Sequence, residues 1–586
     1  MLQLVLTCVL YLILVIPVGR YVYHIAAGKH TVADPVFDRV DGIIYKLGGV
    51  RPEKGMNWKQ YTLALIGTNG VMIAVGYLIL RIQSIRLFNP NGIGNMEPTL
   101  AFNTIISFMT NTNLQHYSGE SGLSYLSKML VITFMMFVSV ASGYAACVAF
   151  IRGLTGRTKD NVGNFFADLV RITTRVLLPF SMIGGLLLVW QGVPQNFDGN
   201  IVVKTLEGTY QVIATGPIAA LEIIKHLGTN GGGFLGANSS TPLENPTILS
   251  NLIELYAMML LPGACVITFG KMVGDARRER MASKAPDNAL PADREGLGAR
   301  LFGREGRTIF TAMGILFAIG LGLCFWAESQ GNPVLAQLGL NQSTGSMEGK
   351  EVRFGVAQSA LFTTVTTSFT TGTVNNMHDT LTPLGGLVPL LHMMLNCVFG
   401  GKGVGLMNMT LYAILAVFIC GLMVGRTPEY LGKKIEGREM KLTALAIIIH
   451  PLLILAFSAL AVTTQAGQAG ITNPGFHGLS QVLYEYASSA ANNGSGFEGL
   501  ADNTCFWNLT TGIVMFLGRY VPIVLQMAIA GSLMKKNFVN ESAGTLRTGT
   551  FSFSVILVFV VYIFAALTFF PALALGPIAE HLTLWG

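Results

Sequence analysis

Charged residues are scarce in this sequence of 586 residues. Only 12% of the residues are Asp, Glu, Lys or Arg, whereas 51% are hydrophobic. A typical soluble protein carries about 25% charged residues. The deficit excludes an ordinary soluble domain, and the long apolar runs indicate a polytopic membrane protein in a lipid bilayer.

Motifs for metal binding and for ATP chemistry are also missing. The seven cysteines stand singly and show no C-x-x-C spacing, which is typical of small buried apolar side chains. The "GGKG" at 400–403 is not a phosphate-binding loop, because Gly403 follows the lysine where Ser or Thr is needed. No "DKTG" motif for an aspartyl phosphate is present, and no predicted loop is long enough for a nucleotide-binding domain. We therefore predict no direct ATP binding by this chain.

Ten apolar runs are long enough to span a bilayer, which takes roughly 20 mostly apolar residues. The first run has no basic residue before it, unlike a cleaved signal peptide, so we interpret it as a retained helix. The seventh is interrupted by "GGKGVG" at 400–405. The runs lie near 2–25, 61–86, 127–152, 168–192, 247–272, 308–328, 383–425, 440–465, 504–533 and 551–578.

Basic residues concentrate in alternate loops, which sets the predicted orientation. They cluster in 29–59, in 271–307, in 426–441 and at Lys535 and Lys536. If both termini lie outside, all of these loops face the cytoplasm, as the positive-inside rule requires. The net charge of +7 then reflects topology and not nucleic-acid binding.

A recurring unit lies between the basic loops, and it predicts the fold. Four apolar stretches too short to cross run into clusters of Gly, Asn, Thr and Ser, at 101–120, 219–234, 360–376 and 479–497. The clusters recur at intervals of 119 to 140 residues, which indicates a four-fold internal repeat. We predict an all-α membrane protein with four helix–pore-helix–helix repeats in pseudo-four-fold arrangement, plus one extra helix at each end.

The repeats divide the chain into seven segments. They are 1–60, the first helix and a cytoplasmic loop; 61–152, pore repeat 1; 153–272, pore repeat 2; 273–307, a basic cytoplasmic loop; 308–425, pore repeat 3 with the broken seventh helix; 426–533, pore repeat 4; and 534–586, the C-terminal helix.

The four clusters have the chemistry of a potassium selectivity filter. Irregular backbone at membrane depth must be buried or line a cavity. Glycine permits positive φ, so that successive carbonyl oxygens can face one axis and replace the hydration shell of an alkali cation. Close helix packing at glycines is the alternative for any single cluster. The predicted filter residues are Thr112, Asn113, Leu114, Gln115, Asn230, Gly231, Gly232, Gly233, Thr371, Gly372, Thr373, Asn493, Gly494 and Ser495.

Charged residues near the clusters are further candidates. Lys402 and Arg519 stand at membrane depth, where charges are costly and usually functional, so we predict a gate or a counter-charge below the filter. For Lys402, capping of broken-helix carbonyls is the alternative. Four acids follow the clusters and are predicted to concentrate cations in an outer vestibule, although solvated loop acids are equally compatible with the pattern: Glu120, Glu244, Asp379 and Glu498.

Several long motifs resemble the KdpA family, the potassium-binding subunits of the bacterial Kdp potassium-importing ATPase, within the superfamily that includes Trk, Ktr and HKT transporters. The resemblance runs from the first cluster to the C-terminus, and ten helices is also the family's number. The motifs are "NTNLQHYSGE" (111–120), "GTNGGGF" (228–234), "ANSSTPLENPT" (237–247), "MEGKEVRFG" (347–355), "NNMHDT" (375–380), "GRTPEYLGKKIEGREMKLTALAI" (425–447) and "FPALALGPIAE" (570–580).

The resemblance implies more than the residues alone. It implies a subunit of the bacterial inner membrane that captures external potassium and passes it to a P-type ATPase subunit, KdpB, in a complex with KdpC and usually the small KdpF. It implies filter roles for Gln115, Gly232, Gly372 and Gly494, and it places Arg519 on the route below the filter. The chain departs from the family at Asn396, where many members have glutamate, and at Lys402, where a lysine is generally absent.

Two other functions remain open at this stage. The filters alone are compatible with a self-sufficient Trk- or Ktr-like channel or symporter. A membrane enzyme would need a catalytic group, and His116, His378 and His392 show neither ligand spacing nor a nucleophile partner.

Overall fold

The computed structural model describes residues 2–31, 34–156, 160–284, 296–539 and 545–586. Within these ranges ten helices are long and apolar enough to cross a membrane, which confirms the predicted all-α, ten-helix architecture. We number them spans 1 to 10. Their bounds are Leu2–Ala26, Trp58–Arg81, Tyr125–Thr155, Phe165–Trp190, Ile248–Ala282, Arg304–Gln337, Val404–Val424, Gly437–Thr463, Cys505–Met534 and Phe551–Trp585.

Four shorter helices lie between paired spans and are named pore helices 1 to 4. Pore helix 1 begins at Pro98, which has no N–H group and therefore leaves no donor unpaired at the helix start. The Glu97 side chain accepts a hydrogen bond from the amide of Leu100. Its 12 residues reach about 18 Å, well short of the roughly 30 Å hydrocarbon core. The pore helices are Pro98–Met109, Ile218–Leu227, Gly355–Ser368 and Phe476–Ala491.

The seventh predicted helix is broken earlier than the sequence suggested. A helix Pro383–Leu395 ends at Asn396, which adopts a left-handed conformation, and span 7 begins only at Val404. The break therefore covers 396–403 and not 400–405. Left-handed φ angles at Asn396, Phe399 and Lys402 end the helix because L-residues cannot continue a right-handed helix through them.

The basic loop 271–307 also begins later than predicted. The fifth helix runs over Ile248–Lys284 and therefore includes "DARRER", whereas residues 285–295 lie outside the described residues. An amphipathic helix, Asp34–Gly48, occupies the first basic loop. Two small antiparallel hairpins pair Ile201–Lys204 with Tyr210–Ile213, and Glu429–Tyr430 with Lys433–Lys434.

The remaining elements are short. Single helical turns cover Gly119–Gly122, Leu297–Phe302, Pro333–Gln337 and Gln465–Gln468, and a 3-10 turn covers Asn238–Ser240. Spans 3, 4 and 10 contain π-helical segments at Lys128–Thr133, Thr173–Leu177 and Ala574–Ile578.

Span 1 stands outside the repeats and packs along span 5. Glycines make the close approach possible, because a side-chain carbon at Gly19 would meet Ile267 and one at Gly263 would lie 2.7 Å from Val15. Small residues allow membrane helices to approach in this way. Span 1 thereby supports repeat 2 from outside and leaves the centre of the molecule to the four pore helices.

Candidate functional site

The four pore helices end in the same backbone turn. Within two residues of each helix end, one residue adopts a left-handed conformation, with φ of 62°, 48°, 53° and 54° in repeats 1 to 4. The amide of the following residue donates to the carbonyl five residues back, at 2.7 to 2.9 Å. This shared geometry aligns the repeats more sharply than the glycines do. The left-handed residues are Asn111, Thr229, Thr370 and Asn492.

The loops after these turns meet at one place, beside Gly231. A side-chain carbon at Gly231 would lie 2.7 Å from the carbonyl oxygen of Thr371, 2.8 Å from that of Thr112 and 2.9 Å from that of Asn493. Carbonyl oxygens from repeats 1, 3 and 4 therefore converge on the backbone of repeat 2. Converging hard oxygen ligands without side-chain charge suit an alkali cation.

Glycine is required where neighbouring loops touch. Gly372 and Gly494 have φ of 99° and 108°, and a side-chain carbon on them would overlap the carbonyl oxygens of Asn493 and Thr112 respectively. Gly232 has φ of 67°, and a side-chain carbon there would lie 2.9 Å from the carbonyl oxygen of Asn113. Side chains at these positions would displace the carbonyl oxygens that face the axis.

Repeat 1 contributes two amide side chains, those of Gln115 and Asn113, to the loop region. Gln115 donates from Nε2 to the carbonyl of Gly233 at 3.0 Å and accepts from the amide of Gly233 at 2.9 Å. The two hydrogen bonds join the loops of repeats 1 and 2. Asn113 is fully buried, and neither its Nδ2 nor its Oδ1 has a hydrogen-bond partner among the described residues. Unpaired buried polar atoms of this kind are expected beside a bound ion or water.

The other predicted filter residues hold the loops in place. The Ser495 hydroxyl donates to Asn493 Oδ1 at 2.6 Å, and Asn230 Nδ2 donates to Asn111 Oδ1 at 2.8 Å. The carbonyls of Leu114 and Thr373 accept hydrogen bonds from hydroxyls of their own pore helices at 2.9 and 2.6 Å. Hydrogen bonds therefore run along each loop and between neighbouring repeats.

A layer of pore-helix side chains supports the loops, and the sequence prediction missed it. In repeats 1, 3 and 4 the residue whose carbonyl receives the turn amide is Ser107, Thr366 or Ser488, and each hydroxyl also bonds to its loop. The equivalent residue in repeat 2 is Lys225. A Ser or Thr five residues before the first loop residue is the signal that could have revealed three of the four.

Lys225 anchors the loop of repeat 2 through buried ion pairs. Its Nζ lies 2.5 Å from Glu222 and 2.8 Å from Glu244, and all three side chains are fully buried. Glu244 Oε1 accepts from the amide of Leu235 at 2.6 Å, directly after the loop. The expectation that Glu244 lies in an outer vestibule is therefore not met, because this acid is inside the protein behind the filter.

The other three predicted vestibule acids bridge adjacent repeats. Glu120 accepts from the amide of Gly236 at 2.7 Å, and Glu498 accepts from the amide of His378 at 2.9 Å. Asp379 accepts from His477 at 3.0 Å. An open cavity, which we name the mouth cavity, adjoins these loops and is lined by residues that include Gln115, Gly232, Gly372, Gly494 and Glu498.

His477 connects repeat 4 with repeat 3 and with the C-terminal segment, by one carboxylate contact to each. Nε2 lies 3.0 Å from Asp379 and Nδ1 lies 2.9 Å from Glu580. Burial lowers the pKa of His477, but the hydrogen bonds to both carboxylates have the larger combined effect and raise the pKa to about 9. The charged form is thus favoured by folding.

We expect this bridge to make stability depend on pH. The pKa of His477 is raised, so its contribution is complete below about pH 6.5, the unfolded value, and is lost as pH rises through about 9. Thermal unfolding of the purified protein should therefore occur at lower temperature at pH 9.5 than at pH 6.5. Because His116 titrates in the same range, the readout is the difference between wild type and His477→Gln. An equal pH dependence in both would contradict the assignment.

The three residues predicted to form the gate or exit route have different contacts. Lys402 Nζ donates to the carbonyl of Asn111 at 2.6 Å and also to that of Asn492. Arg519 Nη2 lies 3.5 Å from the carbonyl of Ser139. Asn396 bonds to span 7 and not to the loops: its carbonyl accepts a hydrogen bond from the Asn408 side chain at 2.8 Å.

The histidines considered for an enzyme do not form one site. His116 lies 3.1 Å from Glu485 and 2.7 Å from Asn508, whereas His378 lies 2.7 Å from the Tyr484 hydroxyl.

Comparisons with known proteins show the family and the fold. The curated potassium-transporting ATPase potassium-binding subunit of Clostridium acetobutylicum is 55% identical over 583 residues, covering 100% of both chains. That of Geobacillus kaustophilus is 52% identical over 582 residues, covering 99% of both. The crystal structure of the potassium transporter TrkH from Vibrio parahaemolyticus has a TM-score of 0.51 at 14% identity, covering 90% of this chain and 98% of that one, which shows a similar fold.

The family profile described as "Potassium-transporting ATPase A subunit" matches residues 5–582. It thus includes all four pore helices, the loops that follow them and the broken helix before span 7. This protein is a member of the KdpA family.

Proposed function

We propose that the four loops form a selectivity filter that binds potassium from outside the cell. The observation that carries the proposal is the convergence of the Thr112, Thr371 and Asn493 carbonyl oxygens beside Gly231. Carbonyl oxygens can replace the hydration shell of K⁺. Buried orphan atoms nearby, on Asn113 and at Thr371 Oγ1, support a cation-filled rather than a dry site.

Potassium then passes from the filter to an ATP-hydrolysing partner. The relatives' names identify them as potassium-binding subunits of a potassium-transporting ATPase, and this sequence has no motif for ATP hydrolysis. We infer a complex with a KdpB-like P-type ATPase subunit, a KdpC-like subunit and a small KdpF-like subunit. In this proposal Arg519, Lys402 and Asn396 belong to the exit side, and Glu120, Asp379 and Glu498 to the outer vestibule.

The proposed setting is the bacterial inner membrane with both termini outside. This orientation puts the basic segments at 29–59, 271–307 and 426–441 in the cytoplasm. The mouth cavity then faces outward, where potassium enters. The seven-segment division of the chain, with four pore repeats between spans 2 and 9, is the functional organisation that this orientation implies.

Growth of a potassium-uptake-deficient bacterium at micromolar potassium tests the function. We expect growth when the chain is expressed with its ATPase and accessory subunits, and none when it is expressed alone. Growth with the chain alone would instead indicate a Trk- or Ktr-like channel or symporter. An ATPase subunit that cannot hydrolyse ATP is the matched control, and it should prevent growth in the complete complex.

A further inference from the structure

The amino group of Lys402 occupies the inner end of the row of filter carbonyls. Its Nζ hydrogen-bonds to the carbonyl oxygens of Asn111 and Asn492. These residues directly precede Thr112 and Asn493, whose carbonyls converge beside Gly231. The amino group therefore contacts the same two loops, of repeats 1 and 4, one residue closer to the ends of their pore helices.

The backbone holds Lys402 in this place at a conformational cost. Its φ is 51°, a left-handed value that is uncommon for a residue with a long side chain. The amide of Lys402 donates to Thr229 Oγ1 at 3.1 Å, and the residue is 1% exposed. A side-chain carbon at Gly143 would lie 2.8 Å from the Lys402 carbonyl, so span 3 closes over it. Strained positions that the surroundings enforce often serve function.

The contacts of this amino group resemble those of a bound cation. No carboxylate forms an ion pair with Lys402 in the part of the chain that the structure describes. Its partners are two backbone carbonyl oxygens, the ligand type that the filter offers to potassium. A second basic group is close by, because Arg519 Nη2 and Lys402 pack against the same glycine, Gly143.

We propose that the Lys402 amino group competes with potassium for the innermost position of the filter, at the carbonyls of Asn111 and Asn492. This inference rests on the proposed potassium-binding function and adds a built-in competitor to it. Potassium must displace the side chain to pass inward, which lowers apparent affinity by the fraction of time that the position is occupied. The amino group at this position also prevents free conduction through the filter when the partner subunit is idle.

The test is Lys402→Met in the complete complex. We expect the variant to bind one additional Rb⁺ per chain, to bind K⁺ about tenfold more tightly and to leak Rb⁺ into liposomes without ATP. Lys433→Met is the matched control, because Lys433 is also buried and its Nζ also lies near a backbone carbonyl, that of Gly153 at 3.4 Å. It should change none of the three readouts.

Other outcomes would overturn the inference in distinguishable ways. Weaker K⁺ binding with lower thermal stability and no additional ion would make Lys402 a structural cap. If wild type binds no K⁺ or Rb⁺, the proposed function fails and this inference fails with it. If the variant does not fold, the wild-type complex soaked at rising Rb⁺ concentrations decides: Rb⁺ density between the Asn111 and Asn492 carbonyls that appears only at high Rb⁺, with the lysine side chain displaced, supports competition, and a lysine that stays in place without Rb⁺ at every concentration contradicts it.

Discussion

Replacing Gly372 with alanine should weaken potassium binding by about 5- to 100-fold. A methyl group at this position overlaps the carbonyl oxygen of Asn493, and φ is 99°. An enforced left-handed residue costs about 1–3 kcal/mol, and each 1.4 kcal/mol is a factor of ten in affinity. The overlapping atom is a filter ligand, so the strain falls on the binding site. Potassium-stimulated ATPase activity of the complex, measured over a range of potassium concentrations, gives the affinity.

Gly496→Ala is the matched control for this experiment. Gly496 follows the filter loop of repeat 4, but a side-chain carbon there would have Glu485 at 3.8 Å as its nearest neighbour, which is ordinary contact. We expect its potassium affinity to stay within about twofold of wild type. Equal affinities for Gly372→Ala and Gly496→Ala would remove Gly372 from the filter.

The second large effect is expected at Lys225, the buried cation of repeat 2. Lys225→Met leaves the carboxylates of Glu222 and Glu244 buried without their shared partner. Removing one member of a buried ion pair typically costs about 3–5 kcal/mol. Because Glu244 also holds the amide of Leu235, the filter loop should loosen as well. The temperature of thermal unfolding in detergent and the rate of potassium uptake should both fall strongly.

Two variants separate this effect from general damage. Lys535 pairs with Asp160 at 3.4 Å on the surface, with 64% and 76% of the side chains exposed, so Lys535→Met should change stability by less than about 1 kcal/mol. The triple variant Lys225→Met, Glu222→Gln, Glu244→Gln removes the uncompensated charges and should recover part of the stability. A single Lys225→Met variant as stable as Lys535→Met would show that the buried cluster does not support the loop.

Much of this architecture follows from local sequence pattern. Apolar length predicted the ten spans, alternating basic loops predicted an orientation, and the polar clusters predicted where the loops would meet. Gly372 and Gly494 were recognisable because glycine is the residue that accepts both positive φ and a neighbouring backbone. These features depend on residues close together in the chain.

The features that were missed depend on contacts between distant residues. Glu244 appears in the sequence as a loop acid, and only the fold brings Lys225 to it across 19 positions. The left-handed turns at Thr229 and Thr370 have no glycine to mark them, because the pore-helix hydrogen bonds impose the conformation. The early break at Asn396 is similar, since a short apolar run does not show where its helix ends.

The most direct test of the filter is to locate the ion. Thallium, which substitutes for potassium and scatters X-rays strongly, should give an anomalous density peak on the axis between the carbonyl oxygens of Thr112, Thr371 and Asn493, beside Gly231. A peak at that position, removed by Gly372→Ala and retained in Gly496→Ala, is the result that we predict. A filter without density, with thallium bound only elsewhere on the protein, would contradict it.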